Sequence, residues 1–226
     1  MFYEPDKDDH GLAFNPYKSI VVPRPIGWIS TISSEGVLNL APYSQFNNLG
    51  YDPPYVMFSG NCFPGSGRRK DSVRNATDTG EFVVNMATYE LRDAINITSQ
   101  FLSPNTDEAA LAGLHMVPSY IVMPPRVTAS PVHLECRFDC SMALPGNAPD
   151  QVHTVVIGRV VGVHIRDDVI TCDGKLDVLK IRPLARLGYF DYTTVDSVFA
   201  MPPAGPHIKA REAGLEGRPQ RKADVL

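Results

Sequence analysis

Alternating apolar and polar residues dominate the chain, the pattern of half-buried strands. PIGWISTIS and GVLNLAPYSQF are rich in β-branched and aromatic residues, and the turn-prone Ser34, Glu35 and Gly36 between them predict a hairpin. Further strands are predicted at PYVMFSG, EFVVNMA, IVMPPRVTA, HLECRFDCSMAL, HTVVIGRVVGVHIR and LARLGYF. Helical spacing is confined to the middle of the chain. A short helix after Lys70 is expected to be capped by Asp71 or Ser72 and to stop at Gly80. A second opens at Thr88 with Leu91, Ala94, Ile95 and Thr98 on one face, and a third lies around DEAALAGL, ending at Gly113. Strict alternation in HLECRFDCSMAL puts Cys136 and Cys140 on the face of Leu134, Phe138 and Met142, so both thiols are expected in the core. The pattern predicts a mainly β fold with a few short peripheral helices, as one domain over 1–200. From Met201 onward, prolines, glycines and mixed charges without a sustained period predict a C-terminal tail over 201–226.

Composition narrows the partners. With 43% hydrophobic and 20% charged residues the chain has the make-up of a folded globular domain. A formal net charge of −4 gives no general attraction for nucleic acid or for anionic lipid, so neither is expected as a partner. The acidic, proline-broken start MFYEPDKDDHG lacks the form of a secretory signal, and no apolar run is long enough for a membrane helix. A cytoplasmic location is therefore expected. The four cysteines and six histidines show no metal-ligand spacing, so no metal site is expected.

Candidate chemistry concentrates in two segments. VPRPIGWISTISSEGVLNLAPYSQFNNLGYDPPYVMFS sets Gly27, Ser30, Thr31, Ser33, Asn39, Ala41 and Ser44 on consecutive strands, where small and hydroxyl residues admit a flat aromatic ligand and can satisfy its polar edge. Spacing alone is equally compatible with a hairpin that is polar on its outer face. GRRKDSVRNATDTG sets Arg68, Arg69 and Lys70 before a helix start and Arg74 in its first turn, cations beside free helical amides that suit an anion. A solvated basic loop beside a capped helix is the alternative. Trp28 is assigned to hydrophobic packing, and His153, on the face of Val155, Ile157 and Val161, to a core or rim position on pattern alone.

Taken in order, PRPIGWIST, NLAPYSQFNNLGYDPP, KDSVRNATDTGEFVVN, HTVVIGRV and LARLGYFDY resemble the flavin reductase-like family, which includes flavoredoxin and the reductase components of two-component monooxygenases. The resemblance runs from about Asn15 to Tyr192. It implies an FMN-binding split β-barrel that forms a homodimer, with flavin pockets at or near the subunit interface. Carried over by position, it implies that Thr31 and Ser33 line the flavin and that Asn39, Leu40 and Ala41 meet the isoalloxazine edge. Pro42, Tyr43 and Ser44 would follow the ring and ribityl chain. Ser59, Lys70 and Ser72 match positions around the phosphate, with Arg69 as a helper, and His153 matches a histidine near the nicotinamide face. Arg186 and Tyr189 fall in the closing block without a chemical role. The glycine-rich NCFPGSGRR and the insertion SMALPGNAPDQV depart from the family pattern, the first at the phosphate contacts and the second beside His153. The activity implied is hydride transfer from NADH or NADPH to FMN, with reduced flavin passed to a monooxygenase component or another acceptor. A flavoredoxin-type electron carrier and a flavin-binding sensor without turnover are the alternatives.

Overall fold

The computed structural model describes residues 1–7, 9–63, 65–103, 106–148 and 150–201. Most of the tail expected over 201–226 thus lies outside the described residues. Met1–Asp196 forms one compact unit, and Ser197–Met201, the described part of a second, carries no helix or strand.

In chain order the elements are β1 (Arg24–Pro25), β2 (Gly27–Ile32), β3 (Leu38–Tyr43), β4 (Phe46–Tyr51), β5 (Pro54–Asn61), α1 (Asp71–Thr79) and β6 (Glu81–Met86). Then follow α2 (Arg92–Ile97), α3 (Glu108–Leu111), β7 (Met116–Val117), β8 (Arg126–Val127), β9 (Val132–Pro145), β10 (Val152–Ile165), α4 (Val178–Ile181), β11 (Leu184–Gly188) and β12 (Asp191–Thr194). A seven-stranded sheet runs β3-β2-β6-β9-β10-β5-β4, and a smaller one runs β1-β11-β12. All pairings are antiparallel. The mainly β fold with short helices expected from the pattern is the one the chain adopts.

GVLNLAPYSQF is not one strand. β3 ends at Tyr43 and β4 starts at Phe46, and these consecutive strands are the two opposite edges of the large sheet. The corner at Ser44 and Gln45 therefore brings the edges together, and Ser59 N–H donates to the Gln45 carbonyl at 2.8 Å across it. Inside the curl, Ile29, Tyr43, Phe58, Phe82, Cys136 and Val156 form one core cluster with Val73 and Ala76 of α1. On the other side of β2 and β3, Ile26, Trp28 and Leu40 pack with Ile95, Ala109 and Leu184. β2 is buried on both faces because a cluster lies on each, and the Trp28 indole N–H donates to Thr98 Oγ1 at 2.9 Å.

Alternation fails at one informative place. Ile157 stands opposite Cys140, but Gly158 stands opposite Phe138, so Asp139 is an extra residue that shifts the pleat. Cys136 is buried as expected, whereas Cys140 is exposed. Strict period two cannot see a bulge. IVMPPRVTA likewise yields strand only at Arg126–Val127. The amides of Tyr120, Ile121 and Val122 go instead to the Glu135 carboxylate at 2.8, 2.6 and 3.2 Å, and that of Met123 to Glu81 at 2.8 Å. Among the described residues no helix is long and apolar enough to cross a membrane, which says nothing of strands, and no metal-binding cluster is present.

Candidate functional site

The start of α1 departs from its sequence reading. Asp71 or Ser72 was expected to cap the helix, but the Asp71 carboxylate lies 3.1 Å from Arg68 and 2.9 Å from Arg74, two cations that hold it away from the helix amides. Ser72 turns inward. Lys70 takes the N-cap position with no side-chain capping bond, and the first amide bonded within the helix is that of Arg74, to the Lys70 carbonyl at 2.9 Å. The leading amides of α1 thus have no side-chain cap. Lys70 Nζ sits 4.0 Å from the centroid of Phe63 and 3.7 Å from that of Phe101, and among the described residues it has no carboxylate partner. Burial lowers its pKa against the opposing attraction of Asp71, with a smaller contribution from Arg68. Gly60 lets α1 approach β5, since a Cβ there would stand 2.6 Å from Val73 Cγ2 and 3.2 Å from Tyr43 Cε1. Ser59 precedes it on β5. Arg69 points elsewhere, to Thr77 at 3.0 Å and Asp78 at 3.4 Å, along the far half of α1.

The β2–β3 hairpin supplies a closed polar network. Asn39 Nδ2 donates to Ser72 Oγ at 2.8 Å and approaches Thr31 Oγ1 at 3.5 Å, and Asn75 Nδ2 donates to Thr31 at 3.2 Å. Tyr43 is buried against the same hydroxyl of Ser72, and burial raises its pKa strongly. Thr31, Asn39, Tyr43 and Ser72 therefore couple the hairpin to α1, with their side chains turned toward one another. Ser33 accepts the amides of Glu35 and Val37, both at 3.2 Å, and so shapes the turn. The Leu40 side chain is core, and its amide donates to Glu108 Oε2 at 3.0 Å. That buried acid, whose pKa burial raises, was not singled out in DEAALAGL, because nothing in the linear pattern places α3 beside the edge of β3.

On the outer side of β3 a cavity of about 820 Å³ opens. Ile26, Pro42, Ile95 and Leu184 form its apolar floor, with Ser44 beside them. Tyr89, Arg92, Arg186 and Tyr192 stand around it. The volume falls within the roughly 300–1,000 Å³ of ligand sites. Ser99 lines the cavity and Phe101, two residues on, covers Lys70, so one segment borders both places. Of the sequence candidates, Pro42 and Ser44 line the cavity, and Ala41 packs under the hairpin in the core. His153 lies apart, exposed on β10 with Nδ1 2.7 Å from Asn61 Oδ1.

The match to the flavin reductase like domain covers residues 19–180. A protein of Halalkalibacterium halodurans is 35% identical over 181 residues, which span 80% of this chain and 86% of that one. Among solved structures, nitrilotriacetate monooxygenase component B from Bacillus cereus superposes with a TM-score of 0.81 at 30% identity, over 89% of this chain and 98% of that one. The 2-nitrobenzoate 2-nitroreductase of Pseudomonas fluorescens gives 0.69 at 29%, over 83% and 88%. The architecture is the split barrel of flavin reductases.

Proposed function

The chain belongs to the flavin reductase-like family, and on that premise we propose that it binds FMN and transfers a hydride to it from NADH or NADPH. The observation that carries this reading is the uncapped start of α1 beside Lys70, a cation that packs on two aromatic faces and has no salt bridge among the described residues, next to the strand edge and cavity of Pro42 and Ser44. The phosphate of FMN fits the first place, since it needs both donors and positive potential. The isoalloxazine fits the second, where an apolar floor meets a few polar groups.

Lys70 and the leading amides of α1 hold the phosphate. Ser72 supports that end through Asn39 and Tyr43, and Ser59 borders it on β5. Pro42, which lacks an amide, and Ser44 border the ring. Bound FMN supplies the hydride-accepting ring, so the residues of the chain have to bind, orient and exclude water. The Leu40 amide is committed to Glu108 and is not a donor for the ring in this arrangement. His153, held by Asn61, belongs to the nicotinamide side. We place the protein in the cytoplasm as a homodimer that delivers electrons to a monooxygenase component or another redox acceptor. The exposed Met142 and Leu144 on the β9–β10 arm support a second copy as their cover.

Purified chain incubated with NADH or NADPH tests the reading, with and without FMN. FMN-dependent oxidation of one nucleotide is expected, and an FMN-loaded chain that oxidises neither would refute hydride transfer. Flavin that stays bound through gel filtration and turnover favours the electron carrier over a reductase that releases FMN. Light scattering should give about twice the 24.8 kDa chain mass.

A further inference from the structure

The cavity next to β3 holds one charge that the flavin reading leaves unused. Its lining carboxylates are both engaged: Asp93 lies 3.8 Å from Arg92, and Asp196 lies 3.8 Å from Arg182. Arg186 also lines it and has no carboxylate partner among the described residues. Neutral groups hold its guanidinium in place, with N–H donated to the Tyr192 hydroxyl and the Tyr189 carbonyl. The Tyr192 ring lies 4.5 Å beneath it.

The backbone is bent to make this arrangement. Tyr189 has a φ of 47°, a left-handed conformation that disfavours a tyrosine, and Gly188 before it has a φ of 106°. A Cβ on Gly188 would stand 2.4 Å from the Lys18 carbonyl oxygen. The strained turn aims the Tyr189 carbonyl at Arg186. Two of the five guanidinium donors are thus used for positioning, and the fork keeps the others for a ligand. A positioned guanidinium with no carboxylate partner among the described residues, lining a cavity with room for a second ring beside the isoalloxazine, matches one ligand form: a flat apolar body with an anionic group at its edge.

We propose that this cavity takes a planar aromatic carboxylate as the second ligand of the flavin site, with Arg186 as the residue that selects its charge. The inference rests on the flavin reading for the word second, since the phosphate of FMN is there assigned to Lys70. The cavity itself does not depend on that assignment.

Calorimetry on the full chain with 2-naphthoate and its neutral counterpart 2-naphthamide tests it, before and after loading with FMN. Wild type should prefer the carboxylate by about tenfold or more, the scale of one charge-assisted contact. Arg186→Gln should erase that preference, and Arg186→Lys should retain part of it. Equal binding of the two naphthalenes to wild type would overturn the proposal, and this comparison needs no variant to fold. Arg186→Gln weakening FMN but not riboflavin would also overturn it, by assigning Arg186 to the flavin phosphate. A chain that discriminates the naphthalenes but binds no FMN would sink the flavin reading and leave the cavity assignment standing.

Discussion

Glu135 on β9 and Lys70 at the start of α1 are both charges that the fold draws away from water, yet their surroundings differ in kind. Glu135 is fully buried and meets four donors, the amides of Tyr120, Ile121 and Val122 and, at 2.5 Å, His164 Nε2. Those bonds outweigh the burial that opposes ionisation, and the net effect lowers its pKa. Lys70 meets the faces of Phe63 and Phe101 instead, and burial, against the opposing attraction of Asp71, lowers its pKa and so weakens its hold on the proton. A carboxylate saturated by its own chain is a structural clamp. A cation met by aromatic faces and an uncapped helix start keeps unspent attraction for an anion, and that difference separates scaffold from site.

The largest expected effect tests the clamp. Glu135→Ala leaves three backbone amides and His164 without their acceptor and should cost about 3–5 kcal/mol of stability in urea unfolding, the sum of several lost bonds to a buried charged group. FMN affinity of the molecules that remain folded should be unchanged. A loss below about 1 kcal/mol would mean that water replaces the carboxylate.

The same end of the molecule carries a pH dependence. His133 Nε2 donates to the Val127 carbonyl at 2.8 Å, and burial first, then Arg126, pushes its pKa down from 6.5 to about 4. The unfolded chain therefore binds this proton more readily than the folded one between those values. Stability should fall as pH drops from 6.5 toward 4, by about 3 kcal/mol when integrated over that interval. Glu135 adds a further loss only below its unfolded value of 4.5, as its depressed folded pKa is approached. Urea midpoints measured from pH 7 to 4 should show the slope, and His133→Gln should flatten it above pH 4.5.

Lys70→Ala should do the reverse of Glu135→Ala. FMN affinity should fall by about 1–3 kcal/mol, roughly fivefold to 150-fold, while riboflavin affinity and urea stability hardly change. Higher salt should narrow the gap between variant and wild type. Equal losses for both flavins, read by fluorescence titration, would make Lys70 a packing residue. The smallest effect belongs to its neighbour. Arg69 pairs with Asp78 at 3.4 Å on the exposed side of α1, so Arg69→Ala should change FMN affinity less than about twofold and stability by under about 0.5 kcal/mol. A larger loss of FMN would show that the loop rearranges around the phosphate.

Local chemistry made much of this molecule legible in the chain itself. Alternation marked the strands of both cores, Gly80 and Gly113 marked helix ends, and the ordered blocks from PRPIGWIST to LARLGYFDY identified the family. The same reasoning found Lys70 at a helix start, because a cation before a helical run is a local signal. Tertiary structure decided what each candidate side chain faces. The corner at Ser44 and Gln45 brings two sheet edges together, and the bulge at Asp139 reverses the faces beyond it. Thr31, Asn39 and Ser72, distant in sequence, satisfy one another in a buried network. Glu108 gained importance only when α3 packed beside β3, and Arg186 only when β11 joined β1 and β12 at the edge of the cavity. Hydrophobic period and capping act over a few residues and can be read directly, whereas the partner of a buried polar group is chosen by contacts between distant segments.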